Sequence, residues 1–313
     1  MSDNTSISWT DATWSPVTGC TKISEGCTNC YIDRTPPFRM AHRKFDGPDV
    51  GATTGVKLHF ERLGIPLSWR KPRMIFVCSL ADLFQDEVPD RFIADVFAVM
   101  SLARHHTFQV LTKRHARIRA LLNSPHFWLL VDGALAARGQ PPLAGAVPHH
   151  LPNVWIGVSA ENQRWADIRI RALLETPAAV HWISAEPLLG PVSLASGWLH
   201  GPARLAWVVV GGESGPKARP MDPNWARALR DQCVGAGVGF HFKQFGEWAP
   251  TGQYSSGGTD ARQQLVGPVL DGSGRREVIA RVGKKAAGRV LDGRTWDEPP
   301  TPHAVGPALV PVA

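Results

Sequence analysis

The sequence predicts an α/β protein with a partial or full (β/α) barrel, TIM-barrel-like in plan, and a small C-terminal appendage. Six short apolar runs are continuous rather than alternating, as expected for parallel strands covered on both faces. Helical patterns usually follow these runs, and strand and helix alternate at about 30 residues, the length of a βαβ unit. An open doubly wound sheet would produce the same pattern and is the alternative. The predicted strands are Met74–Cys78, Phe108–Leu111, Val154–Val158, Val180–Ile183, Ala206–Val210 and Val238–Phe242.

Residues that favour helix ends delimit three of the intervening helices. Asp90 and Asn162 are suitable N-caps for two of them, and Asp222 followed by Pro223 suits the start of the third. The helix after Asp90 would bury one apolar face, and the helix after Asn162 would bury Ile168 with two leucines. The predicted spans are Asp90–Arg104, Asn162–Leu174 and Asp222–Gly235.

Two stretches interrupt the alternation of strand and helix. Gly133–Pro152 is rich in Gly, Pro and Ala, which predicts an inserted loop near residues 132–152. After about residue 250 the alternation ends, and Arg281–Trp296 has the pattern of a small hairpin. We therefore expect a barrel domain over residues 1–250, and over 251–313 a small appendage with a loose, proline-rich C-terminal tail.

Composition and charge narrow the class of protein. The 313 residues are 43% hydrophobic and 19% charged, which suffices for a core and excludes general disorder. The sequence contains no apolar run long enough for a membrane span and opens with polar residues rather than a signal peptide, so we expect a cytoplasmic protein that does not enter a membrane. The net charge of +7 weakly favours anionic partners such as nucleic acid.

Polar residues follow all six predicted strands, at the end where parallel α/β sheets bind ligands. A single residue of this kind is often only a helix cap or a first-turn carboxylate. Six consecutive strands that end this way indicate a shared polar pocket. The set comprises Ser79 and Asp82; Thr112, Lys113 and Arg114; Ser159, Glu161 and Asn162; Ser184 and Glu186; Gly211, Gly212, Glu213 and Ser214; and Lys243 and Gln244.

The run Gly211-Gly212-Glu213-Ser214 has two explanations. The glycines could form a tight turn that requires positive φ angles. They could instead form a pocket floor where the backbone approaches a ligand closely, with Glu213 receiving a cationic group. We favour the pocket floor.

Three of the five cysteines, Cys20, Cys27 and Cys30, form a C-x6-C-x2-C motif. In a reducing cytosol such a group indicates a metal site rather than disulfides. Structural zinc requires four protein ligands, and only His42 or His59 could complete the set. Three thiolates without a fourth ligand favour a [4Fe–4S] cluster with one iron open to an exogenous ligand. The remaining cysteines, 78 and 233, are expected to be small buried hydrophobes.

At these motifs the chain resembles a phage-associated three-cysteine-motif family of uncharacterised function. That family is similar to the radical S-adenosylmethionine (radical SAM) enzymes. The resemblance covers roughly residues 7–250, with a weaker match over Gly283–Trp296. It is carried by Trp14–Tyr31, Phe76–Phe84, Leu111–Arg114, Pro152–Asn162, Ser184–Gly190, Gly211–Pro220 and Lys243–Trp248.

The resemblance implies a radical-SAM-like partial barrel and iron–sulfur chemistry. Cys20, Cys27 and Cys30 match the cluster ligands, and the open iron would bind the amino and carboxylate groups of S-adenosylmethionine. An electron from a donor would then cleave this cofactor to a 5′-deoxyadenosyl radical. The implied partners are S-adenosylmethionine, that electron donor and a three-Cys-motif partner protein.

The rim residues are our candidates for the remaining contacts that this chemistry would need. Glu161, Glu186 and Lys243 are the predicted catalytic residues, and Lys113 and Arg114 could also receive a carboxylate or phosphate. The amino group of the cofactor has two candidate partners, since Glu213 lies in a Gly-Gly-Glu run and Asp82 lies nearer the expected strand. The predicted cofactor-binding residues are Ser79, Asp82, Gly211, Gly212, Glu213 and Ser214.

The main alternative function is a nucleic-acid-binding protein whose cysteines hold a structural metal. Two basic groups support it, one in the segment 113–119 and one toward the C-terminus. A solvated helix face would explain the first group equally well. The protein would be both an iron–sulfur enzyme and a nucleic-acid-binding protein if the substrate of the enzyme is a nucleic acid. A phage accessory protein that works only with a partner chain is the third candidate. The basic groups are Lys113, Arg114, Arg117 and Arg119, and Arg275, Arg276, Lys284, Lys285 and Arg289.

Overall fold

Seven parallel strands form the central sheet of the computed structural model, which describes residues 5–145, 149–251, 262–267 and 276–300. The strands lie in the order β1-β4-β5-β6-β7-β8-β9, so each new strand is added on the same side of the sheet. The sheet curves into a half-barrel, which confirms the prediction of a partial barrel. The strands are β1 (Ala12–Trp14), β4 (Met74–Val77), β5 (Thr107–Thr112), β6 (Val154–Ser159), β7 (Val180–Ala185), β8 (Leu205–Gly211) and β9 (Gly239–Gln244).

The six predicted strands are all present, with ends shifted by one or two residues, but the sequence analysis missed β1. This strand has only three residues, and Thr13 interrupts its apolar character. It is held by parallel pairing with β4 rather than by a long apolar run of its own. A second small sheet, β2 (Val17–Thr18) with β3 (Lys57–Leu58), follows it in the chain.

Nine α-helices are present among the described residues. Asn162 and Asp222 cap their helices as predicted, since their side chains accept hydrogen bonds from the amides of Trp165 and Asn224. Two expectations were wrong: Pro89 rather than Asp90 occupies the N-cap of its helix, and Ile168 is exposed. The helices are α1 (Pro36–Met40), α2 (Ile65–Ser68), α3 (Asp90–Leu102), α4 (His115–Leu122), α5 (Pro125–Ala136), α6 (Gln163–Leu174), α7 (Ser196–His200), α8 (Pro223–Ala236) and α9 (Lys284–Ala287).

The two faces of the sheet are covered differently. Helices α3, α4, α5, α6 and α8 pack their apolar residues on the convex face, which holds the main core. A second, separate apolar cluster lies on the concave face, and none of its residues belongs to a described helix. This cluster, here called the floor, consists of Trp9, Phe76, Trp182, Trp207 and Val209. Three of the twelve tryptophans in the sequence therefore pack together in this floor.

Gly157 of β6 shows how closely this floor is packed. A Cβ atom at Gly157 would lie 2.4 Å from the indole ring of Trp182, so the ring rests directly on the β6 backbone. The rings of Trp9 and Trp182 are 5.4 Å apart, as are those of Trp182 and Trp207. The floor closes the amino-terminal end of the half-barrel and leaves the polar carboxyl ends of the strands at its mouth.

A three-stranded antiparallel sheet follows the half-barrel in the chain. It consists of β10 (Trp248–Pro250), β12 (Glu277–Arg281) and β11 (Gln263–Val266), with β12 in the centre. Helix α5 continues to Ala136, so the irregular segment before β6 begins after that residue. The division at residue 250 remains a prediction, and the predicted loose tail, residues 301–313, lies outside the described residues. No helix within the described ranges is long and apolar enough to cross a membrane.

Candidate functional site

The segment Cys20–Tyr31, here called the cysteine loop, lies against the carboxyl ends of the strands. Gly19, just before it, pairs with Ala81 beyond β4. At its other end the Tyr31 hydroxyl donates a hydrogen bond of 2.7 Å to the Ser79 carbonyl. The backbone between these points spans the mouth of the half-barrel. The three cysteines and the polar residues of strands β4 to β8 therefore belong to one site.

Glu161, beyond β6, anchors the first half of the cysteine loop. Its carboxylate accepts hydrogen bonds from Ser24 Oγ at 2.8 Å and Arg169 Nη1 at 2.6 Å, and it lies 3.2 Å from Lys113 Nζ. Burial alone would raise the pKa of Glu161, but the Lys113 and Arg169 cations and the Ser24 hydroxyl lower it to about 2. A Cβ atom at Gly26 would lie 2.4 Å from Glu161 Oε1, so only glycine lets the loop approach this closely.

Arg169 of α6 completes this buried charge group. Its side chain is fully buried, and its guanidinium lies 4.0 Å from the centre of the Trp165 ring. The indole nitrogen of Trp165 in turn donates to Glu25 of the cysteine loop at 2.8 Å. The loop is thus attached to α6 through both Glu161 and Trp165.

Glu213, beyond β8, anchors the second half of the loop. Its carboxylate accepts hydrogen bonds from Asn29 Nδ2 at 2.9 Å and from the Arg219 side chain, with the shortest contact at 2.6 Å. Burial opposes ionisation, but the hydrogen bonds from Arg219 and Asn29 hold the pKa of Glu213 below its usual range. The cationic group that Glu213 receives in this structure is Arg219. Because Arg219 also donates to the Glu25 carbonyl at 2.9 Å, it joins this anchor to the first.

The glycines before Glu213 are required by close packing. Neither Gly211 nor Gly212 has a positive φ angle, so a turn with positive φ does not explain them. A Cβ atom at Gly212 would lie 2.0 Å from the Phe245 carbonyl oxygen, and one at Gly211 would lie 3.1 Å from Glu186 Oε1. The two glycines let the β8 and β9 ends approach each other and bring Glu186 close to the backbone.

All three loop cysteines are free thiols that share one electrostatic environment with Lys113. Burial favours the protonated form of each. At Cys27 the Lys113 ammonium and two backbone amides outweigh burial, so the net pKa is lowered. Burial raises the pKa of Cys30, and burial with the nearby Asp82 carboxylate raises that of Cys20 further. Cys27 is therefore the thiol with the greatest thiolate character.

The described residues contain no group of three His, Cys, Asp or Glu side chains already arranged to hold a metal ion. The two candidate fourth ligands differ in their surroundings. His59 is held at both ring nitrogens, with Thr18 Oγ1 at 2.9 Å and Glu61 Oε1 at 3.0 Å, whereas His42 is exposed. To bind a metal, His59 would have to give up one of these two hydrogen bonds.

Asp82 and Ser79, the rim residues beyond β4, stabilise local turns. The Asp82 carboxylate accepts hydrogen bonds from Thr112 Oγ1 at 2.8 Å and from the amides of Phe84 and Lys113 at 3.0 and 2.9 Å. The Asp82 carboxylate thereby holds the backbone at Lys113, just after β5, and the Lys113 ammonium lowers the pKa of Cys27. Ser79 contributes its carbonyl oxygen to Tyr31.

Glu186 and Lys243 form the more open part of the site. Glu186 Oε2 lies 2.8 Å from Lys243 Nζ, and Glu186 Oε1 accepts a hydrogen bond of 3.1 Å from Gln244. Gln244 also donates to Ser214 Oγ at 2.9 Å. The side chains of Glu186 and Lys243 are 19% and 20% exposed, whereas that of Glu161 is fully buried. A ligand at the mouth could reach this pair without displacing the core.

The chain matches the family described as Protein of unknown function (DUF5131) over residues 4–300. The chain belongs to this family. No curated protein and no solved structure shows a match. The family description names no activity.

The sequence analysis missed several anchors of this DUF5131 site. Ser24, Glu25 and Asn29 of the loop, and Arg219, were not among the predicted site residues. Arg169 could have been found, because it lies among Ala166, Ile170 and Leu173 in the buried stripe of α6, where an arginine is unusual. The others have no local signal.

The first predicted basic group is largely engaged within the protein. Arg117 meets Asp90 at 2.6 Å, Arg119 meets Glu175 at 2.6 Å, and Arg114 donates to the Thr21 carbonyl at 3.4 Å. Lys113 is paired with Glu161. These cations mainly fix the fold of the rim and of α4.

Proposed function

We propose that this protein is an iron–sulfur enzyme that cleaves S-adenosylmethionine reductively and uses the resulting radical on a substrate. Cys20, Cys27 and Cys30 would hold a [4Fe–4S] cluster. The observation that carries the proposal is the position of three free thiols, in one shared charge environment, at the carboxyl ends of a half-barrel. Ligands bind α/β barrels at this end.

The donor set suits such a cluster better than structural zinc. Three thiols lie in one loop, and His59, a candidate fourth ligand, is engaged at both ring nitrogens. A cluster requires thiolates, and the Lys113 ammonium beside Cys27 and Cys30 favours that form. Glu161 and Glu213 hold the loop that carries the ligands.

The cluster, when bound, would supply the electron that cleaves S-adenosylmethionine; the chain would orient the reactants and exclude water. Glu186 is the most exposed of the four predicted rim carboxylates, and with Lys243 it presents a carboxylate and an ammonium 2.8 Å apart. Asp82 and Glu213 are already saturated with internal hydrogen bonds. Of the carboxylates at the rim, Glu186 is therefore our choice for the contact with the cofactor amino group.

The first test is the metal content of protein reconstituted anaerobically with iron and sulfide. We expect about four irons per chain and a brown protein. Cys27→Ala should lose most of the iron, because it removes one of three ligands. The matched control is Cys233→Ala, which removes a buried thiol of α8 outside the site and should keep the iron. A colourless protein with one zinc would overturn the proposed cluster.

The second measurement separates an enzyme from a structural cluster. Reduced, reconstituted protein mixed with S-adenosylmethionine should release 5′-deoxyadenosine, detected by chromatography, and the Cys27→Ala protein should not. A stable cluster that releases no 5′-deoxyadenosine would refute the enzymatic part of the proposal.

A further inference from the structure

Among the described residues of the C-terminal part of the chain, several cations have no carboxylate partner. In the described residues from 243 onward every carboxylate is engaged. Glu247 accepts the Gly215 amide at 3.0 Å and Asp292 meets Arg227 at 2.9 Å. The other three carboxylates are Glu277, Asp297 and Glu298, which pair with Arg227, Arg289 and Arg294.

Six cations nearby have no carboxylate partner among the described residues. Five of them are exposed, and the guanidinium of the sixth, Arg281, donates to the carbonyls of Gly215 and Pro216, at 3.1 and 2.7 Å. We call this group the C-terminal cationic face. It consists of Lys217, Arg262, Arg276, Arg281, Lys284 and Lys285.

The C-terminal cationic face borders the mouth of the half-barrel. Arg281 contacts the turn that follows Glu213, and Lys217 lies in the same turn. The amide of Phe245, just beyond β9, donates to the Gly288 carbonyl at 3.1 Å, which places α9 and its two lysines beside the end of β9. A long anion bound to this face would therefore run along the edge of the candidate site.

The surrounding surface suits a polymer with a phosphate backbone better than a lipid bilayer. Helix α9 has only four residues, too few for an amphipathic helix that inserts into a membrane. The neighbouring strand β11 exposes Gln263 and Gln264, whose amides can donate and accept hydrogen bonds, next to an exposed Leu265. Exposed lysines and arginines are the side chains that neutralise the phosphates of a nucleic-acid backbone.

We infer that the C-terminal cationic face binds the phosphate backbone of a nucleic acid. Binding at this face needs no metal, so the inference stands apart from the proposed iron–sulfur chemistry. It also differs from the first predicted basic group, in which Arg117 and Arg119 are neutralised by carboxylates.

The test measures binding of fluorescein-labelled 30-nucleotide DNA and RNA, single- and double-stranded, by fluorescence anisotropy of the full chain. We expect affinity to fall at least about tenfold between 50 and 200 mM salt. Lys284→Glu with Lys285→Glu should weaken binding at least about tenfold, because two phosphate contacts become repulsive. The matched control is Arg70→Glu with Lys71→Glu, an exposed pair that precedes β4 at the other end of the sheet and should change affinity less than about twofold.

Three results would overturn the inference. The wild-type chain could fail to bind any of the oligonucleotides at 50 mM salt. Both double variants could lose affinity equally, which would indicate non-specific attraction to the net charge. Phosphatidylserine vesicles could bind the chain more tightly than the oligonucleotides, which would assign the face to a membrane. None of these results depends on iron content, so they leave the cluster to its own test.

Discussion

The two ends of the concave face carry opposite kinds of residue on the same strands. Near the amino ends of β7, β8 and β9 lie Trp182, Trp207 and His241. Two or more residues further along the same strands, or just beyond them, lie Ser184, Glu186, Gly211 and Lys243. The floor holds the half-barrel together and the mouth presents charge. Stability and chemistry are thus separated along the length of each strand.

The titratable groups of the two ends differ in the same way. Burial lowers the pKa of His241 to about 4, so this floor histidine is neutral at pH 7. At the mouth, Glu161 is equally buried but stays ionised, because Lys113 and Arg169 outweigh the burial penalty. The buried histidine of the floor is therefore neutral, whereas the buried glutamate of the mouth stays charged because it is paired with cations.

The largest expected effect of a single change belongs to the floor. Trp182→Ala should lower the free energy of unfolding by about 3–5 kcal/mol, because it leaves a cavity over Gly157. Urea unfolding followed by circular dichroism measures this loss. Trp155→Ala, on the same face but partly exposed, is the matched control and should cost less. Equal costs, or a loss below about 1 kcal/mol for Trp182→Ala, would contradict a floor that carries stability.

The fold was largely predictable because its signal is local. Apolar runs such as Val154–Val158 and caps such as Asn162 specify strands and helices within a few residues. For the site, the sequence predicted which kinds of residue would lie at the mouth, but not which of them would contact each other. The pairs that assemble it are distant in sequence, with Ser24 and Glu161 separated by 137 residues and Asn29 and Glu213 by 184. No periodicity or spacing encodes which carboxylate meets which part of the loop.

The second prediction concerns the buried carboxylate of the mouth. Glu161→Gln should lower the free energy of unfolding by about 3 kcal/mol at pH 7, because it leaves two cations near an uncharged amide in a buried place. The folded-state pKa of about 2 lies below the ordinary glutamate value. The stabilisation from Glu161 is therefore complete above the unfolded pKa and disappears as pH falls toward about 2.

The pH dependence gives this prediction its control. Below about pH 4.5 the unfolded wild-type chain takes up a proton at Glu161 that the folded chain resists, so the difference between wild type and variant should shrink with acidification. Urea unfolding at pH 7 and at pH 4 measures it. A difference that is constant with pH would show that Glu161 contributes by shape or packing rather than by its charge.

The smallest stability effect is expected at the partly exposed pair Glu186–Lys243 of the mouth. Glu186→Gln removes one charge of the Glu186–Lys243 pair, whose members are each about one fifth exposed. Partly solvated pairs contribute little, so the free energy of unfolding should change by less than about 1 kcal/mol. The iron content of reconstituted protein should also stay unchanged, because Glu186 hydrogen-bonds to Lys243 and Gln244 of β9 and anchors none of the three cysteines.

The same variant should affect the proposed reaction far more than the stability. If Glu186 holds the cofactor amino group, Glu186→Gln should lower the release of 5′-deoxyadenosine at least about tenfold, the cost of one lost charge-assisted contact. Lys243→Met tests the other half of the pair with the same assays. A stability loss as large as that of Glu161→Gln would place Glu186 among the structural anchors. Unchanged activity in a stable variant would exclude Glu186 from the cofactor site. Either result would contradict the proposed difference between Glu161 as a structural anchor and Glu186 as a cofactor contact.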